Sequence, residues 1–366
     1  MPFDTAPRVT VFIPAYNAES FIGEAIESVL AQTFSDFELL IIDDASTDAT
    51  LAMAQLYTVD DRIRVLSHQH NQGTPQTRNH GLDQARGEYI ALLDADDICM
   101  PDRLERQVEY LDSHTNIDVL GGYFYKIDAT GLRRPKRPKR RPFTDPDDIE
   151  ADTLLTCPIQ QPTIMARRRI LASWRYDPNS PAAEDYDLWS RMVAHHNFAN
   201  LPVELIAYRR HPAQSTSVDV AAINKIRLII ATRLLDALGV DYSDSDLRKH
   251  SLLDKGVNQH KPTTGQSMDR DYMIWAEYWL RGLIAANAKS RRYPSNSLLR
   301  VVGDKWWHLC RKASRREAVG PAVWLIFARS PLKMAVLTGF YQKILNIMRW
   351  TLNRFCRKGG EPRVTH

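Results

Sequence analysis

Apolar runs alternate with amphipathic segments along the first hundred residues. Short, mainly apolar runs have the length of buried strands, at residues 9–13, 37–42, 62–66 and 88–93. Between them, apolar residues recur at helical spacing, in segments 18–32, 47–57 and 74–85. Buried strands that alternate with helices predict a parallel sheet covered by helices on both faces.

The alternation continues less regularly and then gives way to a helical pattern. Further strands are predicted at residues 119–127, 161–167 and 201–208, and further helices at 101–114 and 184–194. From residue 221 onward the pattern is helical and rich in Trp and Arg. We therefore expect an α/β domain over residues 1–220 and a helical, basic region over residues 221–366.

The composition is that of a folded globular protein, but its charge is unevenly distributed. The 366 residues are 44% hydrophobic and 25% charged, with a formal net charge of +4. Residues 305–366 contain thirteen Lys or Arg and only two acidic residues, so the rest of the chain is acidic. A basic tail on an acidic body indicates a polyanionic partner or surface.

Targeting and cysteine patterns favour the cytoplasm. The N-terminus lacks a basic segment followed by an apolar one, as a secretory signal would have. The apolar stretch 318–328 is shorter than the ~20 residues that span a bilayer, so we expect no transmembrane helix. Four widely separated cysteines without a CxxC pair argue against a zinc knuckle or a disulfide scaffold.

Carboxylates follow two of the predicted strands. Asp43 and Asp44 end the second strand, and Asp94, Asp96 and Asp97 end the fourth. Ligands bind at this edge of such sheets, and converging carboxylates repel one another unless a cation or donors offset them. Mg²⁺ and Mn²⁺ prefer carboxylates together with a substrate diphosphate. Asp94 and Asp96 are therefore a candidate metal site, with an Asp-rich turn that caps the next helix as the alternative.

Other acidic residues have both a ligand-binding and a structural interpretation. We favour Asp44 as an acceptor for a base N–H or a ribose hydroxyl, whereas Asp43 is equally well explained as a helix N-cap, a role that Ser46 alone also fits. Glu184 and Asp185 open a helix, where acids favour the macrodipole. The functional interpretation makes Asp185 a general base for an acceptor hydroxyl, with Glu184 as the fallback.

The turn after the first strand excludes two common nucleotide-binding classes. A NAD(P)-dependent oxidoreductase would carry GxGxxG there, but the turn reads PAYNAE. No GxxxxGK[ST] motif occurs, which excludes a P-loop enzyme.

Several segments resemble the family 2 glycosyltransferases. The run VTVFIPAYNAESFIGEAIESVLAQTFSDFELLIIDDASTDAT is similar to the family's N-terminal signature, and NQGTPQTRNHGLDQARGEYIALLDADDICMPDRLERQ to its next segment. EDYDLWSRM resembles the acceptor-side ED motif, and YRRHPAQSTS the loop that follows it. The resemblance covers about residues 8–217. It implies an α/β GT-A fold, a Rossmann-like mixed sheet with helices on both faces, followed by a C-terminal, mostly α-helical appendage.

The resemblance also implies roles for individual residues. Those that would contact the nucleotide-sugar are Pro14, Ala15, Tyr16, Asn17, Asp44, Arg78, Asp94 and Arg209. Within this set, Asp44 would bind the base edge, and Arg209 would contact the diphosphate or the metal.

The same resemblance implies a metal site and a base. Asp96 would ligate Mn²⁺ or Mg²⁺, assisted by Asp94 and by His211, for which a surface histidine is the alternative. Asp185 would be the catalytic base.

The implied activity is inverting, metal-dependent transfer of one sugar from a nucleotide-sugar, with UDP as the default. The acceptor would be a glycan or a lipid-linked glycan in cell-surface polysaccharide biosynthesis, and no nucleic acid is expected as a partner. The QxxRW motif of processive members is absent, which favours single transfer. The alternative is a catalytically silent GT-A module that binds a nucleotide-sugar or glycan, although Asp96 and Asp185 are retained.

Two basic segments each have two interpretations. Residues 133–141 read RRPKRPKRR and form either a solvated hairpin tip or a contact with an anionic acceptor. Over residues 340–355, apolar and basic positions lie mainly on opposite sides of a helix. This helix either packs on the GT-A domain or binds an anionic membrane surface, which would make the enzyme peripheral on the inner face of the membrane.

Overall fold

The structure is a computed structural model and describes residues 6–133, 142–212, 214, 220–253, 269–313, 327 and 329–337. Its strands are β1 (Val9–Ala15), β2 (Phe37–Asp43), β3 (Ile63–Ser67), β4 (Tyr89–Leu92), β5 (Ile98–Cys99), β6 (Val119–Asp128), β7 (Met165–Arg167) and β8 (Phe198–Arg210). Its helices are α1 (Ile22–Leu30), α2 (Thr50–Leu56), α3 (Thr74–Gln84), α4 (Arg103–Ser113), α5 (Pro146–Thr153), α6 (Arg168–Leu171), α7 (Glu184–Met192), α8 (Val220–Leu238), α9 (Asp244–Ser251), α10 (Arg270–Ser290) and α11 (Ser295–Ala313).

The strands form one mixed sheet in the order β3-β2-β1-β4-β7-β6-β8-β5. The first four in this order run parallel, as the alternating pattern predicts, since parallel neighbours need crossover connections. β7 is antiparallel to both of its neighbours, while β8 is parallel to β6 and antiparallel to β5. The predicted mixed α/β sheet is therefore confirmed.

The central parallel strands form the core of the sheet. Phe12, Leu40 and Ile90 are fully buried, and every residue of β2 and β4 is buried. Burial of each large apolar side chain stabilises the fold by about 1.5–3 kcal/mol. Ala15 pairs with Asp43, so β1 and β2 end side by side and their following turns lie at one edge.

The chain divides into two compact units. The first contains residues 1–142 and 157–230, and the second residues 143–156 and 231–366. The chain thus passes between the units inside α8, and α5 belongs with the C-terminal helices. The two domains predicted from the sequence, with a boundary at residue 220, stay a prediction.

The second unit contains buried polar groups that are paired. Asp148 on α5 is 2% exposed and accepts a hydrogen bond from Arg300 Nε on α11 at 2.9 Å. His250 on α9 accepts from Trp279 Nε1 at 3.0 Å and donates through Nε2 to the Leu154 carbonyl at 2.9 Å. Burial lowers the pKa of His250 from its ordinary 6.5 to about 4. These contacts join α5, α9, α10 and α11 within this unit.

Among the described residues, no helix has both the length and the apolar character needed to cross a membrane. The segments behind the membrane and acceptor-loop predictions, residues 318–328, 340–355 and 134–141, lie outside the described residues apart from Phe327.

Candidate active site

The turns that follow β1 and β2 are joined by side-chain hydrogen bonds. Asn17 has a left-handed backbone, with φ of 48°, and its Oδ1 accepts from the Thr47 amide at 2.8 Å. The Asn17 amide donates to Ser46 Oγ at 3.0 Å, and Tyr16 is 51% exposed beside it. The predicted nucleotide-lining residues 14–17 therefore lie at the carboxyl end of β1. Their contact with a nucleotide stays a prediction.

Asp44 anchors the loop that leads into α3. Its carboxylate accepts hydrogen bonds from the amides of Gln72 at 2.9 Å and Gly73 at 2.8 Å, and lies 2.7 Å from His68 Nδ1. Burial acts to raise the pKa of Asp44, but these hydrogen bonds outweigh it and lower the pKa below its ordinary value. Asp44 is therefore an ionised acceptor with a structural role, and its contact with a base edge stays a prediction.

Asp43 differs from Asp44 because one of its carboxylate oxygens accepts no hydrogen bond from the described residues. Its Oδ2 accepts from the Ser46 amide at 3.0 Å, in a turn before α2. The N-cap of α2 is Ala49, so neither Asp43 nor Ser46 is the helix N-cap that the sequence offered as an alternative. Asp43 Oδ1 is buried and has no hydrogen-bond partner among the described residues. A buried acceptor of this kind is costly unless a ligand or water donates to it.

Three aspartates converge where β4 ends and β5 begins. Carboxylate oxygens of Asp94, Asp96 and Asp97 lie within 4.8 Å of one another. Asp97 is fully buried; its Oδ1 accepts from the Arg209 amide at 2.8 Å, while its Oδ2 has no partner among the described residues. Burial, and then the charges of Asp96 and Asp94, raise the pKa of Asp97 well above its ordinary value. This donor set fits a hard divalent cation, which would offset the repulsion.

His211 lies against the predicted metal ligand Asp96. Its Nε2 is 2.8 Å from Asp96 Oδ2, and the same oxygen accepts from Gln214 Nε2 at 3.2 Å. The imidazole packs on the ring of Phe21, with 4.6 Å between centroids. The structure thus brings His211 to the acidic cluster, as a ligand role requires, and that role stays a prediction.

Arg209 has a different environment from the one expected. The resemblance implied contact with the diphosphate or the metal, and the side chain is fully buried in this structure. Nε donates to the Asp96 carbonyl at 2.8 Å, and Nη2 pairs with Glu24 at 2.7 Å. In this structure Arg209 supports the loop that carries Asp96 and Asp97, and its contact with the diphosphate or the metal stays a prediction.

Arg78 connects the metal side of the site to the acidic start of α7. Its Nη2 donates to Asp94 Oδ1 at 3.1 Å, and its Nε lies 3.4 Å from Glu184 Oε1. Burial disfavours its charge, but Asp94 and Glu184 outweigh this and keep the pKa of Arg78 above its ordinary value. The Arg78 guanidinium also lies over the ring of Tyr176, with 5.7 Å to the centroid. Arg78 thus lies between two acidic groups, and its location near the nucleotide stays a prediction.

The two acids of the ED segment begin α7 after a strained residue. Ala183 has φ of 62°, a left-handed conformation that costs a non-glycine residue about 1–2 kcal/mol. Burial raises the pKa of Glu184 to about 7, with Arg78 opposing the shift and Asp185 adding to it. Burial also raises the pKa of Asp185, against the Tyr186 amide, which donates to Oδ1 at 2.7 Å. Both acids therefore have raised proton affinity, as a general base at neutral pH requires.

Sequence reasoning missed three contributors to this site. Asp97 belongs to the predicted acidic run but was not selected as a ligand, although it completes the cluster. Gln214 lies in the segment after the ED motif, where nothing in the pattern marks an amide as important. The link from Arg78 to Glu184 joins residues more than a hundred positions apart, and only the fold shows it.

The chain matches one protein-family model and several known proteins of similar sequence. The family model described as Glycosyl transferase family 2 matches residues 10–173. An uncharacterized glycosyltransferase of Haemophilus influenzae is 32% identical over 250 residues, which span 65% of this chain and 77% of that protein. TuaG of Bacillus subtilis, named for teichuronic acid biosynthesis, is 34% identical over 182 residues, covering 46% of this chain and 71% of that protein.

A solved structure shares the fold over most of the chain. Residues 1–349 of S. aureus TarS in complex with UDP-GlcNAc superpose with a TM-score of 0.53 at 19% identity. The match covers 97% of this chain and 93% of that one. The predicted GT-A fold class with a C-terminal helical region is therefore confirmed.

Proposed function

Since the chain belongs to glycosyltransferase family 2, we propose that it transfers a single sugar from a nucleotide-sugar to a glycan or lipid-linked acceptor, with inversion of configuration. The observation that carries this proposal is the pairing of one guanidinium with both sides of the site. Arg78 lies 3.1 Å from Asp94 in the three-aspartate cluster and 3.4 Å from Glu184 beside Asp185. Carboxylates that we assign to the donor side and to the acceptor side thus contact the same guanidinium.

We propose that the nucleoside occupies the ends of β1 and β2. The exposed ring of Tyr16, the ionised Asp44 and the unpartnered Asp43 Oδ1 supply stacking and hydrogen-bond acceptors there. UDP is the nucleotide we favour, in line with the UDP-GlcNAc complex of TarS.

The diphosphate would lie at the three-aspartate cluster. Asp94, Asp96 and Asp97, with His211 beside them, would hold Mn²⁺ or Mg²⁺, which neutralises charge that develops on the leaving diphosphate. Arg209 stabilises the backbone of this loop, because its Nε donates a hydrogen bond to the Asp96 carbonyl.

We propose Asp185 as the base. It takes the proton of an acceptor hydroxyl, whose oxygen forms a bond to the anomeric carbon while the bond to the diphosphate oxygen breaks. One displacement inverts the configuration without a covalent enzyme intermediate. Glu184 is the second candidate, because its pKa of about 7 also suits proton abstraction near neutral pH.

We propose a cell-surface polysaccharide or its lipid-linked precursor as the acceptor, since TuaG is named for teichuronic acid biosynthesis. The absence of QxxRW from the sequence supports addition of one sugar at a time.

The test measures release of nucleoside diphosphate from a panel of UDP-, GDP- and dTDP-sugars, with Mn²⁺ or with EDTA. The expected result is slow hydrolysis of one donor class with Mn²⁺ and almost none with EDTA. Absence of turnover for every donor, together with donor binding by thermal shift, would favour the silent binding module instead.

Two variants then separate the candidate bases. Asp185→Asn is expected to abolish transfer and leave UDP affinity nearly unchanged, because the base acts on the acceptor. If Glu184→Gln abolishes transfer and Asp185→Asn does not, the base is Glu184. A large loss of UDP affinity in Asp185→Asn would make that residue part of the donor site.

A further inference from the structure

One face of the paired strands β6 and β8 carries aromatic and cationic side chains next to the aspartate cluster. The parallel register pairs Phe124 with Ile206, Lys126 with Tyr208 and Asp128 with Arg210. Paired residues share a face of the sheet, and side chains alternate between faces along each strand. Phe124, Lys126, Tyr208 and Arg210 therefore lie on one face.

The aromatic pair on this face is only partly covered. The rings of Phe124 and Tyr208 have centroids 5.5 Å apart and are tilted by 57°, and both side chains are half-buried. Lys126 is exposed, with Nζ 5.9 Å from the centre of the Phe124 ring. Together they form an apolar surface with a cation at its edge, which suits the apolar face of a sugar ring beside a charged group.

This surface is next to the reacting centre. The amide of Arg209, the residue after Tyr208, donates to Asp97 Oδ1 at 2.8 Å. Burial, followed by the negative charges of Asp97, Asp94 and Asp96, raises the pKa of the Tyr208 phenol. A ligand on these rings therefore lies within reach of the strand end where the aspartates converge.

The second cation of this face, Arg210, has no acidic partner in the part of the chain that the structure describes. Arg210 is half-buried and makes no ion pair among the residues that the structure describes. Asp128 pairs with it in register, but Asp128 Oδ1 accepts from the Thr130 amide at 3.0 Å and from the Leu132 amide at 3.1 Å, which holds it in the turn after β6. An arginine in this state suits recognition of a carboxylate or phosphate.

The opposite face of the same strands supplies a contrast. Arg133 lies over Tyr125, 4.2 Å from the ring centre, and its Nη2 pairs with Glu204 at 2.9 Å. The first residue of the basic segment 133–141 is thus engaged within the fold. Arg210, which makes no ion pair among the described residues, therefore lies on the Tyr208 face. Arg133, which pairs with Glu204, lies on the Tyr125 face.

We propose that Phe124, Lys126, Tyr208 and Arg210 form the acceptor-binding surface, and that the acceptor is an anionic glycan with carboxylate or phosphate groups. The inference rests on the proposed function, since it names the substrate class of the same site. The rings pack on the sugar, and the two cations pair with charged groups of the acceptor.

The test measures binding to the full chain, with UDP and Mn²⁺ present, by isothermal titration calorimetry. The probes are a hyaluronan octasaccharide, which carries carboxylates, a glycerol-phosphate oligomer, which carries phosphates, and neutral chitohexaose. We expect at least one anionic probe to bind about tenfold more tightly than the neutral one at low salt. The preferred anionic probe identifies which charged group the acceptor carries.

Variants locate the surface. Lys126→Ser and Arg210→Ser are each expected to weaken the anionic probe about five- to tenfold at low salt, with a smaller effect at high salt because the charges are screened. Tyr208→Ala is expected to weaken the anionic and neutral probes alike. Arg133→Ser, the matched control on the opposite face, is expected to change affinity less than about twofold.

The outcomes separate the inference from the proposed function. Equal binding of all three probes, or an Arg133→Ser effect as large as those of Lys126→Ser and Arg210→Ser, would overturn the inference. If the wild-type chain shifts its melting temperature with a UDP-sugar but shows no anionic preference, only the inference fails. If it selects the anionic probe and binds no nucleotide-sugar, the proposed function fails.

Discussion

The aspartates at the end of β4 and Asp148 on α5 are all acidic groups in partly or fully buried positions, but they face different neighbours. Asp148 accepts from Arg300 Nε at 2.9 Å, so its charge is paired inside the second unit. Asp97 faces Asp94 and Asp96, and its Oδ2 has no partner among the described residues. The first carboxylate is thus paired with a cation, whereas the second faces like charges among the described residues.

This difference separates two uses of a buried carboxylate. A buried ion pair makes the fold depend on both partners, because loss of either leaves an unpaired charge. Carboxylates that repel one another destabilise a fold without a cation. Relief of that repulsion adds to the affinity for a cation. Changes at Asp148 are therefore expected to affect stability, and changes at Asp96 or Asp97 are expected to affect activity and metal binding.

The largest expected effect comes from removal of a charged cluster member. Asp96→Asn keeps the side-chain volume and removes a ligand charge, so we expect turnover to fall by at least about 10³-fold with an unchanged circular dichroism spectrum. Asp60→Asn is the control, since Asp60 pairs with Arg62 on the surface. Normal Mn²⁺-dependent turnover in Asp96→Asn would remove this residue from the metal site.

The second effect concerns the paired carboxylate. Arg300→Met leaves Asp148 buried without its cation and is expected to lower the free energy of unfolding by about 3–5 kcal/mol in urea denaturation. Arg292→Met is the control, because its pair with Glu150 is 25% and 21% exposed and is expected to contribute about 1 kcal/mol or less. Similar losses in both variants would show that burial does not distinguish the two pairs.

A third effect is a pH dependence of the second unit. The folded state disfavours the protonated form of His250. The stability that neutral His250 contributes is therefore complete above pH 6.5 and is lost as the pH falls towards 4. The loss is about 3 kcal/mol, from the difference between the two pKa values. His250→Gln keeps a donor and an acceptor but does not titrate, so the decline in the free energy of unfolding between these pH values is expected to be smaller. The same slope in both proteins would assign the decline to other groups.

The smallest expected effect is a change in thermal stability when Mn²⁺ binds the aspartate cluster. Mn²⁺ at about 100 times its dissociation constant is expected to stabilise the wild-type chain by about 2.7 kcal/mol, measured as a rise in melting temperature. Asp97→Asn is expected to melt higher than wild type without metal, because one like charge is gone, and to gain less from Mn²⁺. An equal Mn²⁺ response in both proteins would place the ion away from Asp97.

The parallel half of the fold was predictable because three of its four strands, β1, β2 and β4, are buried on both faces. A mainly apolar run such as 37–42 has few alternatives to a buried strand, and the end of such a strand gives the location of Asp43 and Asp94. The antiparallel insertion of β7 was less predictable, since a three-residue strand has almost no periodic signal. The assignment of residues 143–156 to the second unit depends on contacts distant in sequence, such as Asp148 with Arg300.

The site was predictable as a set of residue types but not as a set of contacts. The resemblance identified Asp96 and Asp185 by their motifs, whereas the burial of Arg209 depends on Glu24 and on the Asp96 carbonyl, which no local pattern connects to it. The helix predicted from residue 47 begins at Thr50, because Asp48 accepts from the Thr50 amide and Asn17 from the Thr47 amide.

A single guanidinium shared between Asp94 and Glu184 makes the two sides of the site thermodynamically linked. A cation held by Asp94 would neutralise that carboxylate, so Arg78 would interact more fully with Glu184 and make its ionised form more favourable. Linkage is reciprocal, so loss of the Glu184 proton must strengthen donor-side binding by the same factor. If the donor binds at the aspartate cluster as proposed, its binding would favour ionised Glu184, and we would expect an ordered reaction in which the donor binds first.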